Sequence, residues 1–227
     1  MRKLTVANHS RPDANSVSLH PPGTLGRMSL PTPTTRRNSE TVVRALTIMG
    51  GLLALMWALE GIDTVTANSL DTYGISPRET DELPQIFSAW ALHFGWGHLS
   101  SNSVPLFLFG FLILLDGLRR WVISGLAAIT GSGLFAWLLS PPNSVTVGAS
   151  GLVFGWLTYL LARGFFSRDW RQILVAVVIG GLYGSILWGV LPVQAGVSWQ
   201  GHLGGAVGGL AAAWFLHSAR RPRPRIV

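Results

Sequence analysis

Six apolar runs, each close to the roughly 20 residues that cross a bilayer as a helix, divide this chain. They cover residues 45–62, 96–115, 121–140, 148–166, 173–191 and 199–216. Hydrocarbon offers no partner to a backbone N–H or C=O, so runs of this kind close their hydrogen bonds internally as helices. Two connections are very short, 116–120 and 141–147, the second carrying a Pro-Pro turn. Short links force antiparallel neighbours, and the expected fold is an all-α, polytopic membrane bundle. Charge agrees with this reading. Only 12% of the residues are charged, about half the share of an ordinary soluble domain. The chain has no cysteine, which excludes disulfides and cysteine–metal sites.

The flanks are of different material. Residues 1–43 are rich in Pro, Ser, Thr, Asn and Arg and lack an apolar period, so a disordered tail is expected there. No apolar core and small-residue cleavage site follow its basic start, and it is not read as a signal peptide. Residues 219–227 form a second basic tail, leaving 44–218 as the membrane domain.

A net charge of +7 on a soluble protein would suggest nucleic acid. Here every one of the 17 Lys and Arg residues except Arg78 lies in or next to the tails, or around the links between runs two and three and between four and five. With six spans, all those segments face one side. The other side receives the long segment 63–95, which holds Asp63, Asp71, Glu79, Asp81 and Glu82. The positive-inside bias then places both termini in the cytoplasm, in a bacterial plasma membrane, and no nucleic-acid partner is expected. Ten Trp residues, several at the ends of runs, suit the headgroup level.

Polar groups within a span are costly and ask for a reason. Runs two, four and six all travel from outside to inside, so their early residues share the outer level. There the second run carries His98 and Asn102, four apart on one helix face. The fourth carries Ser150 and the sixth carries His202. Three distant stretches thus bring Ser, two His and Asn to one depth, within roughly ten Å of rise. Gly148, Gly151 and Gly155 in the fourth run, and Gly205 and Gly209 following His202 in the sixth, form small-residue stripes along which two helices can pack closely. Phe154, one turn below Ser150, is placed to pack on the His202 ring.

A serine hydroxyl needs a base to become a nucleophile, and histidine suits that task near neutral pH. The oxyanion of the tetrahedral intermediate needs donors. The Ser150 N–H at a helix start, the Asn102 amide and the His98 ring are available. No carboxylate lies at this depth, so a Ser–His dyad is expected, within a cavity that admits water. His93 is read as a structural or loop-anchoring residue. A metal bound by His93, His98 and His202 lacks a completing carboxylate or cysteine, and no metal or cofactor is expected.

The segment from His93 through His98 to Asn102 resembles the HxxxxHxxxN motif of the rhomboid family. Gly148-Ala149-Ser150-Gly151 is similar to that family's GxSG, and His202 through Gly205 and Gly209 to its HxxGxxxG. The resemblance implies a six-transmembrane-helix rhomboid-like bundle and an intramembrane serine protease. Ser150 would be its nucleophile, His202 its base, and His98 and Asn102 its oxyanion donors. Its partners would be transmembrane protein substrates and membrane lipid. Two departures stand out. The Trp-Arg pair of the first outer loop is absent, Pro77-Arg78 being the nearest basic feature, and Phe154 stands where Tyr is common.

Overall fold

The computed structural model describes residues 33–218, Ala195 apart. It contains six α helices: α1 (Pro33–Val65), α2 (Trp96–Leu115), α3 (Leu118–Leu139), α4 (Ser150–Ser167), α5 (Trp170–Tyr183) and α6 (Trp199–Ser218). No β-strand occurs among the described residues; one antiparallel bridge joins Ile75 to Thr146. Helix α1 begins at Pro33, so residues 33–43, which the sequence places in the tail, are helical here. The remainder of that tail, and the basic tail from 219 onward, lie outside the described residues. The fifth run divides: α5 ends at Tyr183 and a 3-10 segment, Gly184–Val190, carries the chain onward.

Four segments are long and apolar enough to cross a membrane: Asn38–Val65, α2, α3 and Trp170–Val190. The other two helices are α4 and α6. All of α4 from Gly151 to Leu160 is buried, and a helix enclosed by protein has no need of a lipid-soluble surface. Trp156 and Tyr159 of α4, Phe109 of α2 and Met49 of α1 are fully buried in one continuous core.

Helix α6 is wedged between α3 and α4, its most extensive neighbours. The reason lies in its glycines. A methyl group on Gly204 or Gly208 would overlap the carbonyls of Gly131 and Ala127 on α3. One on Gly205 or Gly209 would overlap the carbonyls of Gly151 and Gly155 on α4. Small residues on both faces let three backbones touch. The Thr158 hydroxyl donates to the Ala206 carbonyl at 2.9 Å and ties α4 to α6 further down. At the end remote from Ser150, the buried Arg163 pairs with Asp116 in the α2–α3 turn. There the Tyr159 hydroxyl also meets His217 Nε2 at 3.1 Å.

The long segment between α1 and α2 is folded rather than loose. Three 3-10 turns, Ser69–Tyr73, Leu83–Phe87 and Ala89–Ala91, organise it. Ile75 exchanges both backbone hydrogen bonds with Thr146. The Arg78 guanidinium donates to the carbonyls of Leu138 and Ser140 at 3.2 and 2.9 Å. These are orphan acceptors at the C-terminus of α3, where a cation is also favoured by the helix dipole. The Trp137 indole returns a bond to the Glu79 carbonyl at 2.9 Å. The single basic residue of this side thus clamps the loop to the bundle, without the missing Trp-Arg pair.

Candidate active site

A cavity of about 680 Å³ opens between the early ends of α2, α4 and α6. Its walls include His98 and Asn102 from α2, Ser150 and Phe154 from α4, and His202 from α6. Residues 144–147 and 196–198 of the flanking loops line it too, with Trp199 and Gln200 at the start of α6. The sequence-derived constellation is therefore gathered around one space. No Asp or Glu is among the lining residues.

The spacing of Ser150 and His202 is set by backbone contact. Gly151 follows Ser150 directly, Gly205 lies three residues beyond His202, and these two glycines touch. Ser150 is the first residue of α4, and the helix starts without a side-chain cap. Its first N–H groups have no partner within the helix, so they face the cavity end as donors carrying the positive pole of the helix dipole.

His202 is held on two sides. The Phe154 ring stacks on the imidazole with centroids 4.1 Å apart and planes 11° from parallel. Nδ1 lies 2.9 Å from the Gly189 carbonyl oxygen. A carbonyl only accepts, so Nδ1 carries the proton and Nε2 keeps its lone pair. The orienting group that the sequence did not offer as a carboxylate is thus a backbone oxygen of the 3-10 segment. No side-chain pattern marks a carbonyl. The one available signal was Gly189 itself, where a Cβ would sit 2.8 Å from Phe154 Cζ and 3.2 Å from His202 Nδ1.

Asn102 is buried, and its Nδ2 has no hydrogen-bond partner. An orphan amide donor on a cavity wall is expensive unless something arrives to accept from it. The rings of His98 and His93 meet edge to face at 5.1 Å. Gly148 is not part of the helix-packing stripe with Gly151 and Gly155. It precedes α4, holds φ +122°, and a Cβ there would strike His98 Cε1 at 2.5 Å. Only glycine combines that dihedral with that clearance, so Gly148 seats the His98 ring.

His93 anchors the turn ahead of α4. Its Nε2 accepts from the Ala149 N–H at 3.2 Å, immediately ahead of Ser150, and the Gly148 N–H donates to the Ala89 carbonyl at 2.9 Å. The turn that presents Ser150 is thereby pinned to the segment before α2. Burial, and then the neighbouring His98, push the His93 imidazole down to about 4, so it stays neutral and keeps the accepting lone pair.

The Rhomboid domain family model matches residues 80–219, which include α2 to α6 and every cavity residue named above. The chain belongs to the rhomboid family. This rhomboid is 41% identical over 204 residues to an uncharacterized protein of Mycobacterium tuberculosis, covering 86% of this chain and 85% of that one. It is 36% identical over 149 residues to rhomboid-like protein 11, chloroplastic, of Arabidopsis thaliana, covering 58% and 52%. With rhomboid protease GluP of Bacillus subtilis it shares 29% identity over 175 residues, covering 71% and 32%. Family and apolar helices together make the rhomboid an integral membrane protein.

Proposed function

We propose that this rhomboid is an intramembrane serine endopeptidase that cleaves other proteins in or beside their transmembrane segments. Ser150 is the nucleophile and His202 the base. The observation that carries this reading is the hydrogen bond from His202 Nδ1 to the Gly189 carbonyl, made in the cavity that Ser150 shares. It leaves Nε2 as a proton acceptor, and the stacked Phe154 ring limits rotation of the imidazole. The likeness to rhomboid protease GluP supports the same class of activity.

In the first step Ser150 Oγ attacks the scissile carbonyl carbon while its proton passes to His202 Nε2. The imidazolium is steadied by the Gly189 carbonyl dipole. The oxyanion accepts from the Ser150 N–H, Asn102 Nδ2 and the His98 ring, and such donors stabilise the charge as it develops. Collapse returns the proton from Nε2 to the departing amine and leaves an acyl-serine. Water from the cavity, deprotonated by the same nitrogen, then hydrolyses the ester. The deciding experiment reconstitutes the chain in liposomes with a single-span substrate and a serine-directed fluorophosphonate probe. Cleavage and labelling are expected of the wild type and absent in Ser150→Ala and His202→Ala, with the double variant no worse than either. Substantial cleavage by folded Ser150→Ala refutes the reading.

A further inference from the structure

We infer that the end of the bundle remote from the cavity binds an anionic phospholipid in the groove between α4 and α5. That groove encloses about 320 Å³ and is walled by Leu161 and Phe165 of α4 and Ile173, Ala176 and Val177 of α5. No polar residue lines it. Phe165, Ile173 and Val177 are 78%, 45% and 67% exposed, so the slot is open to the surroundings. Its walls are held together by close contacts between the two helices. A Cβ on Gly164 would lie 2.8 Å from the Ile173 nitrogen, and one on Gly180 would lie 3.4 Å from Leu161 Cδ2. The helices therefore stay in touch on both sides of the slot.

What stands at its mouth decides the occupant. Helical spacing carries the α4 stripe from Leu161 through Phe165 to Arg168, and the α5 stripe from Val177 through Ile173 to Trp170. The helices are joined there by the turn Arg168-Asp169, with Arg168 left-handed at φ 56°. Trp170 is 67% exposed, and the Arg171 guanidinium rides over its ring at 5.7 Å. The acidic side chain of the turn is engaged: Asp169 accepts from the Arg171 N–H at 2.9 Å as the cap of α5. The ion pair at this end joins Asp116 to Arg163, and no ion pair of Arg168 or Arg171 occurs among the described residues. An apolar slot ending at an exposed indole and two arginines matches an acyl chain, a glycerol level and a phosphate in that order. A zwitterionic headgroup would bring its ammonium against the same arginines, so the fit favours a lipid with net negative charge.

Native mass spectrometry of the full chain, titrated in detergent with phosphatidylglycerol or with phosphatidylcholine, tests this. Preferential retention of one phosphatidylglycerol is expected. Each arginine near an anionic lipid is worth about fivefold. Arg168→Gln with Arg171→Gln should therefore cut phosphatidylglycerol retention about twenty-five-fold and leave phosphatidylcholine unchanged. Ala176→Phe, which fills the slot, should lower retention of both lipids, with a melting curve to confirm that the variant is folded. If it does not fold, the arginine pair, at exposed positions, carries the test alone. Equal retention of the two lipids by the wild type overturns the inference. So does a preference that survives loss of both arginines, or a folded Phe variant that binds as the wild type does.

Discussion

Adding one methyl group at Gly189 should disable the site while sparing the fold. An alanine Cβ there would stand 2.8 Å from Phe154 Cζ and 3.2 Å from His202 Nδ1, against 3.4–4 Å for ordinary contact. Something must therefore yield by roughly half an ångström or more. The ring tip of Phe154 is the nearer atom, but that ring is buried and stacked on the imidazole. Its retreat either drags His202 along or opens the stack, and either path stretches the 2.9 Å bond to the Gly189 carbonyl. A displacement approaching 1 Å at reacting groups costs about a hundredfold in rate, equivalent to about 2.7 kcal/mol of barrier. Overpacking by one methyl costs about 1–3 kcal/mol of stability, so folded protein should remain. Turnover and KM on a single-span substrate, with a melting curve on the same sample, are the measurements. The control is Gly181→Ala, where a Cβ meets nothing within 4 Å and turnover should be unchanged. Folded Gly189→Ala turning over within about threefold of wild type would refute the argument that this carbonyl orients the base.

The orphan amide of Asn102 makes a second variant informative: Asn102→Ala should lose about a hundredfold in turnover with little change in KM. A lowered melting point with normal turnover would instead make Asn102 a packing residue. Stability should depend on pH through His93, whose proton affinity falls from 6.5 to about 4 on folding. The unfolded chain gains a proton between those values while the native one does not, so stability is full above pH 6.5 and falls as pH drops towards 4, by at most about 3 kcal/mol. Burial and Asp63 push Asp71 the opposite way, so the comparison is with His93→Asn at each pH; identical melting profiles would dismiss the effect. Single cysteines at positions 39, 76 and 218 of this cysteine-free chain should label from outside only at 76, and the reverse pattern would turn the molecule over and place the cavity in the cytoplasmic half.

Much of this was readable because membrane helices announce themselves through length and apolarity, and because Ser150, His202, His98 and Asn102 each open a run at the same level. The errors share a cause. Gly148 reads as the first glycine of a helical stripe, and only its φ of +122° separates it from Gly151. The fifth run looks continuous from 173 to 191 because hydropathy does not distinguish an α helix from the 3-10 turns of Gly184–Val190. That segment supplies the Gly189 carbonyl, a group every residue possesses and no composition reveals. Arg78 was visible as a lone cation on the acidic side, but its partners are the carbonyls of Leu138 and Ser140, some sixty positions away. Side chains at regular spacing leave a trace in sequence, whereas backbone atoms recruited from distant turns do not.

The glycine seams on α6 also bear on how such an enzyme could escape an inhibitor. Backbone rests on backbone at Gly151 and Gly205, and again at Gly155 and Gly209. No substitution there can bring the two helices nearer, and each one forces them apart. The gap between Ser150 and His202 is thus closed to gradual adjustment. Heritable change that preserves activity must fall on the rim, among residues such as Val145, Thr146, Val197 and Gln200 that line the cavity. A compound gripping Ser150 and His202 alone would leave few routes to resistance. One that owes its affinity to the rim would leave many.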